Sequence, residues 1–167
     1  MNVFCDGASN SFRKNSGVGV VWFNLDQFHD PLDGKTLKVG ELPKFTFGEK
    51  IDTTKEFCKN GMYATNNESE YLSLIKALGI SIEKNMEFIN IFMDSKLVVK
   101  QVNGEWKINF PHLQKLKDRV DKFRHLITFK VNHVRREYNT HADKASKSHI
   151  PTKKSQTKLN LSQFKKL

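Results

Sequence analysis

The hydrophobic pattern of the chain predicts an α/β protein. Short apolar runs that have the composition of strands alternate with longer segments in which apolar residues recur every three or four positions. Their order predicts three successive strands, a helix, a fourth strand, two helices, a fifth strand and a last helix. This order indicates one sheet with a mixed strand pattern, flanked by helices.

The predicted strands are rich in β-branched and aromatic residues. They cover residues 2–5, 17–24, about 44–51, 88–93 and 126–134. Residues 25–62 contain prolines and turn residues and are longer than a strand connection needs. We therefore expect an enlarged, irregular insertion there, with the third strand inside it.

The clearest predicted helix begins near Asn67. Its apolar residues fall on one face of a helix: Tyr71, Leu74, Ile75, Leu78 and Ile82. Asn67 is the expected N-cap, with Glu70 three residues later as the capping-box acid. Three further helices are predicted after Ser95, from Pro111 and after Asn139.

Four acidic residues lie near the ends of these predicted elements. Asp6 and Asp94 end the first and fourth strands, Glu70 lies in the first turn of the first helix, and Asp143 lies in the second turn of the last. Functional residues of open α/β sheets collect where strands end and helices begin. Converging carboxylates repel one another unless cations neutralise them, and such hard oxygen ligands favour Mg²⁺ or Mn²⁺. Each acid alone also fits an ordinary turn or helix-capping role; the four together favour a metal site.

The charge of the chain predicts a polyanionic partner. The net charge is +10 and the pI is about 9.6, which suits a nucleic acid or an anionic membrane surface. No run approaches the roughly 18 apolar residues of a membrane span, and a signal-peptide pattern is absent from the N-terminus. The two cysteines fit reduced thiols, so we expect an intracellular protein, cytoplasmic or, in a eukaryote or virus, nuclear.

Four segments resemble motifs of the type 1 ribonucleases H, closest to their shorter archaeal and bacterial subgroup. They are FCDGAS at 4–9, ATNNESEY at 64–71, MDSKLVVKQVNGEWKI at 93–108 and HVRREYNTHADKAS at 133–146. The last is similar to the family ending H-V-P-R-E-x-N-x-x-A-D-x-L-A. The resemblance implies a ribonuclease H fold over residues 1–149, a five-stranded mixed sheet whose first three strands are antiparallel. Residues 150–167 are then a basic tail, which we expect to be flexible.

The resemblance also implies an activity. Members of the family are endonucleases that hydrolyse the RNA strand of an RNA–DNA hybrid and leave 5′-phosphate and 3′-hydroxyl ends. Asp6, Glu70, Asp94 and Asp143 match the catalytic metal ligands, which implies two Mg²⁺ ions per site with Mn²⁺ as the expected substitute. The TNN-x-x-E spacing selects Glu70 over Glu68, and helical geometry is expected to turn Glu70 inward and Glu68 away.

Substrate contacts are implied by the same motifs. Asn66 should contact a ribose 2′-hydroxyl and Thr65 a phosphate of the DNA strand, although both residues also suit the start of a helix. Asn10, in the loop expected after the first strand, is a weaker candidate for a minor-groove contact. Arg136 is a candidate cation near the scissile phosphate, and His133 is a candidate auxiliary residue at the end of the fifth strand.

Two alternative functions stay open at this point. One is a noncatalytic module that binds hybrids or RNA, and the other is a different nuclease of the ribonuclease H-like superfamily. We expect a monomer with no membrane partner. The tail segment QTKLNLSQF at 156–164 faintly resembles a sliding-clamp peptide but lacks the aromatic pair of such peptides. Nonspecific affinity for nucleic acid is the simpler prediction for the tail.

Overall fold

The computed structural model of the protein describes residues 1–24, 43–56 and 58–148. The predicted order of elements is confirmed. The strands are β1 (Asn2–Asn10), β2 (Asn15–Phe23), β3 (Phe45–Lys50), β4 (Phe88–Met93) and β5 (Thr128–His133). The helices are α1 (Asn66–Glu83), α2 (Lys96–Val102), α3 (Pro111–Phe123) and α4 (Thr140–Lys147). Half of the predicted insertion, residues 25–42 and 57, and the whole of the predicted tail lie outside the described residues.

The five strands form one mixed sheet in the order β3-β2-β1-β4-β5. Strands β1, β2 and β3 pair antiparallel, whereas β4 pairs parallel with both β1 and β5. The predicted fold class is confirmed, including the three antiparallel strands at the start of the chain. Because β1 is the central strand, its residues have neighbours on both sides.

Strand β1 is longer than the sequence pattern indicates. The prediction that it stops at Asp6 is wrong, because the antiparallel ladder with β2 continues through Asp6↔Gly19 to Asn10↔Asn15. The parallel ladder with β4 is shorter and its last pair is Phe4↔Phe92. Asp6 therefore lies beyond the parallel ladder while its backbone still pairs with β2. Asn10 ends this strand and is not in a loop.

Helix α1 begins two residues earlier than predicted. Thr65, not Asn67, is the N-cap, and Glu68, not Glu70, is the acid of the capping box. The sequence contains two overlapping signals of the same spacing, T-N-N-E and N-E-S-E. The threonine signal prevails because the carboxylate of Glu68 also accepts a hydrogen bond from Lys59 N–H, which fixes the chain before the helix.

The two faces of the sheet bury different sets of residues. Helices α1, α2 and α3 cover one face, where the larger core includes Val3, Cys5, Trp22, Leu74, Ile91 and Leu116. Helix α4 covers the other face, where Phe4, Val21, Phe23, Phe92, Val134 and Ala142 pack together. Cys5 is fully buried in the larger core, as strand alternation predicts. Among the described residues, the helices are too short or too polar to cross a membrane.

Candidate metal centre

Three of the four predicted acids meet at one end of the parallel ladder. Asp6 lies two residues beyond Phe4 on β1, and Asp94 lies two residues beyond Phe92 on β4. Phe4 and Phe92 are partners in register, so the two acids emerge side by side from adjacent strands. Glu70 reaches the same place from α1. One carboxylate oxygen from each of the three residues lies within 4.8 Å of the others.

Glu70 reaches the sheet because helix α1 contacts β1 directly at Gly7. A Cβ atom at Gly7 would lie 2.2 Å from the backbone carbon of Ser69, so only glycine fits there. The N–H of Gly7 donates to Oε2 of Glu70 at 3.3 Å. The close approach of helix to strand thus places Glu70 beside Asp6.

The three carboxylates carry more negative charge than their surroundings neutralise. Burial raises the pKa of Asp6 to about 7, and the charges of Asp94 and Asp143 add to the effect. Burial also raises the pKa of Glu70 well above its ordinary value, together with the charges of Asp6 and Asp94. A divalent cation would relieve this repulsion, and a donor set of carboxylate oxygens fits Mg²⁺ or Mn²⁺. The residues present therefore suit the predicted kind of ion.

Asp94 has two hydrogen-bonding neighbours. Arg136 Nε lies 3.3 Å from Oδ2, and Asn139 Nδ2 lies 3.4 Å from Oδ1 and donates to the carbonyl of Cys5 at 3.0 Å. The sequence suggests Asn139 only as a helix cap, but its side chain makes no capping hydrogen bond. It instead joins the start of α4 to β1 and to the acid group. The asparagine of the H-V-P-R-E-x-N ending is the sequence signal that marks it.

Asp143 lies beside the three acids and is not part of their group. Its Oδ1 atom accepts a hydrogen bond from Lys147 at 2.5 Å, an ion pair within α4. Its charge still contributes to the raised pKa of Asp6, so the two carboxylates act on each other. A role for Asp143 as the fourth ligand stays a prediction.

Glu68 has the opposite surroundings. The prediction that this residue turns away from the core is wrong, because its side chain is fully buried. Its two oxygens accept hydrogen bonds of 2.6 Å from the backbone N–H groups of Lys59 and Thr65. Both oxygens are thus used within the fold, and Glu68 is not in the three-acid group.

The predicted substrate contacts occupy nearby surface positions. Thr65 caps α1, and Asn66 is the exposed first residue of that helix. The Ser9 hydroxyl donates to the Ala64 carbonyl at 2.6 Å, which ties this helix start to the end of β1. Asn10, next along β1, uses its Oδ1 to accept from the N–H of Arg13 at 2.9 Å.

His133 and Arg136 lie on the β5 side of the acids. His133 is the exposed last residue of β5 and pairs in register with Met93, the residue before Asp94. The side chain of Arg136 is 88% exposed. Both side chains are thus open to a ligand from solvent.

Comparison with known proteins identifies the family. The family described as "Reverse transcriptase-like" matches residues 52–149, more than half of the chain. The chain belongs to this family. A ribonuclease HI of Halobacterium salinarum is 38% identical over 84 residues, which cover 48% of this chain and 41% of that protein. The chain spans less than half the length of the curated relatives it matches. The resemblance to type 1 ribonucleases H is thereby confirmed.

Solved structures agree on the fold. The crystal structure of ribonuclease H1 from H. salinarum matches with a TM-score of 0.66 and 25% identity, over 88% of this chain and 94% of that one. LC11-RNase H1 in complex with an RNA/DNA hybrid matches with a TM-score of 0.66 and 22% identity, over 88% and 94% of the two chains. The sheet of this protein, with its three antiparallel strands and two parallel additions, is thus a ribonuclease H fold.

Proposed function

We propose that this protein is a divalent metal-dependent endonuclease that hydrolyses the RNA strand of RNA–DNA hybrids. The products would be 5′-phosphate and 3′-hydroxyl ends. The observation that carries the proposal is the meeting of Asp6, Glu70 and Asp94 from three separate elements, with one oxygen of each within 4.8 Å. Similarity to a ribonuclease HI and to a ribonuclease H1 bound to a hybrid supports the choice of substrate.

The acids would hold the metal ions and need not carry protons themselves. Two Mg²⁺ ions, or Mn²⁺ in their place, would supply activation of the attacking water and charge stabilisation at the leaving 3′ oxygen. Asp6 is the central ligand of the proposal, since it faces Glu70 and Asp94 and is influenced by Asp143. Asp143 would join as the fourth ligand by leaving its ion pair with Lys147.

The exposed residues around the acids would orient the hybrid. Asn66 would recognise a 2′-hydroxyl in the minor groove, which is the group that separates RNA from DNA. Thr65 would contact a phosphate of the DNA strand, and Asn10 would approach the groove from the end of β1. Arg136 would attract the scissile phosphate, with His133 as an auxiliary group. The excess of positive charge on the chain would add affinity without sequence preference.

A cleavage assay on matched substrates tests the proposal. The protein would be incubated with a labelled RNA–DNA hybrid, an RNA duplex and a DNA duplex of one sequence, with and without Mg²⁺. We expect cutting of only the RNA strand of the hybrid, and only with the metal. Asp94→Asn should abolish cutting, whereas Asp118→Asn, at an exposed acid of α3, should leave it unchanged.

The alternatives give different results in this assay. Binding of the hybrid without cutting, in both Mg²⁺ and Mn²⁺, would favour a noncatalytic module. Cutting of DNA would favour another nuclease of the same superfamily. An unchanged rate in Asp94→Asn would contradict the assignment of the acids. We also propose that the protein acts inside the cell. We propose as well that it is a monomer, which sedimentation with and without the hybrid would test.

A further inference from the structure

Ser146 on α4 contacts the central acid of the candidate metal centre. Its side chain is fully buried, and Oγ lies 2.7 Å from Oδ2 of Asp6, across 140 residues of sequence. Oγ also lies 2.9 Å from the backbone carbonyl of Asp143. The hydroxyl has one proton, and a carboxylate is the stronger acceptor, so the hydrogen bond to Asp6 takes precedence.

The position of Ser146 is fixed by unusually close packing of α4 on the sheet. A Cβ atom at Gly19 would lie 2.3 Å from the nitrogen of Ser146, and one at Gly17 would lie 2.3 Å from its carbonyl oxygen. A Cβ atom at Gly48 would lie 2.5 Å from the carbonyl oxygen of Ala145. Because backbone rests on backbone at β2 and β3, the helix cannot shift its hydroxyl away from Asp6 without losing these contacts.

The hydroxyl is a feature of this chain and is not needed to fill space. The motif ending A-D-x-L-A has alanine where this sequence has Ser146, in the segment ADKAS. Alanine differs from serine only by the oxygen atom, so the same helix packing accommodates it. The hydrogen bond to Asp6 can therefore be removed without disturbing the core.

We propose that Ser146 is a positioning residue that fixes the rotation of the Asp6 carboxylate and thereby strengthens divalent metal binding. This inference rests on the proposed function. With Oδ2 held toward α4, the carboxylate of Asp6 keeps one orientation toward Glu70 and Asp94 before an ion arrives. Without the hydroxyl, the carboxylate must be ordered when the ion binds. Loss of an outer hydrogen bond of this kind weakens metal binding by about 10-fold or more.

Calorimetric titration of the full chain with Mn²⁺, without nucleic acid, tests the inference. We expect Ser146→Ala to bind Mn²⁺ about 10-fold more weakly than the unmodified protein. Ser146→Cys, which keeps a weak donor, should give an intermediate affinity. At saturating Mn²⁺, hybrid cleavage by Ser146→Ala should return close to that of the unmodified protein.

Ser81→Ala is the matched control for a buried serine. Ser81 is fully buried on α1 and accepts a hydrogen bond of 3.2 Å from Trp22 Nε1, on a different part of the sheet. This variant should lower the Tm and leave the Mn²⁺ affinity unchanged. Equal Mn²⁺ affinities for the unmodified protein and both Ser146 variants would overturn the proposed role of Ser146 but not the proposed function. A loss of Mn²⁺ affinity in Ser81→Ala equal to that in Ser146→Ala would have the same consequence. A failure of the unmodified protein to bind Mn²⁺ would overturn the proposed function as well.

Discussion

Glu68 and Glu70 lie two residues apart on helix α1, yet their carboxylates meet different surroundings. Glu68 is fully buried and accepts two backbone hydrogen bonds of 2.6 Å, so its charge is stabilised within the fold. Glu70 receives one longer hydrogen bond, from Gly7 at 3.3 Å, and faces Asp6 and Asp94. A buried acid with donors contributes to structure, whereas acids gathered without enough donors indicate a cation site.

The largest expected effect separates these two acids by activity. Glu70→Gln should lower the rate of hybrid cleavage by more than about 100-fold. Loss of a group that only supports a metal ligand already lowers metal affinity or activity by up to about 100-fold, and Glu70 is a proposed ligand itself. Glu68→Gln should keep the rate within about 10-fold, since its oxygens serve the backbone. Cleavage rates at saturating Mg²⁺, measured below the Tm of each variant, provide the test. Similar losses of cleavage rate in the two variants would contradict the prediction that Glu70, and not Glu68, acts in cleavage.

Of these two variants, Glu68→Gln should have the smaller effect on the cleavage rate but the larger effect on stability. Glu68→Gln places an amide NH₂ where a backbone N–H now donates, and should lower the free energy of unfolding by about 2 kcal/mol. For a chain of this size that corresponds to a fall in Tm of about 4–8 °C. Glu70→Gln should leave the Tm unchanged or higher, because it removes a charge that repels Asp6 and Asp94.

Thermal unfolding of the two metal-free variants at pH 7.5 measures this difference. Glu87→Gln, at an exposed acid between the C-terminal end of α1 and the start of β4, is a control for a Glu/Gln exchange outside both sites. A lower Tm for Glu70→Gln than for Glu68→Gln would mean that the acid group stabilises the fold despite the repulsion among its charges.

The sequence was sufficient for the element order, the mixed sheet and the three acids that meet. Asp6 and Asp94 follow apolar runs that are easy to recognise, and the register of two adjacent strands then brings them together. The predicted start of α1 is wrong because two signals of the same spacing overlap, T-N-N-E and N-E-S-E, and only the contact of Glu68 with Lys59 decides between them. That contact joins a loop to a helix, which no periodicity can reveal.

The sequence pattern also does not predict the two residues that hydrogen-bond to the acids from α4 and its start, Asn139 and Ser146. Asn139 looks like a helix cap, but its amide contacts Cys5 and Asp94, more than 40 residues away in each case. Ser146 looks like a surface or packing residue of a short helix. Its partner Asp6 becomes visible only when α4 lies on the glycines of β2. Long-range hydrogen bonds depend on how the layers stack, and local propensity carries no information about that.

A comparable effect on stability should appear as a pH dependence of the metal-free protein. Folding raises the pKa of Asp6 from 3.8 to about 7, so the folded state holds this proton more tightly than the unfolded state. The free energy of unfolding should therefore fall as the pH rises from about 4 through 7. Between pH 5 and pH 7.5 this shift corresponds to a loss of about 2–3 kcal/mol in the free energy of unfolding, and therefore to a fall in Tm of about 4–12 °C.

Melting curves with a chelator, and again with Mg²⁺, would measure this dependence. Added Mg²⁺ should raise the Tm at pH 7.5 more than at pH 5, because the ion binds the ionised acids. Asp6→Asn provides the control and should reduce the dependence to the part that Glu70 contributes, because burial also raises the pKa of Glu70. An unchanged slope in this variant would assign the effect to groups other than Asp6.

The smallest expected effect concerns Arg136, the cation that contacts the acid group from outside. Its Nε lies 3.3 Å from Asp94, but the side chain is 88% exposed, so solvent weakens the pair. Arg136 therefore stabilises Asp94 less than the buried backbone donors stabilise Glu68. Arg136→Ala should change the free energy of unfolding by less than about 1 kcal/mol.

The effect of Arg136→Ala should instead appear in hybrid binding, since an exposed arginine beside acids is available to a phosphate. In the Glu70→Gln background, which prevents cleavage, Arg136→Ala should reduce the slope of log affinity against log salt by about 1. Arg124→Ala, whose side chain on the far end of α3 contacts Asp121, should leave this slope unchanged. A large loss of stability in Arg136→Ala, without a change in slope, would show that the acid group depends on Arg136 as Glu68 depends on its backbone donors.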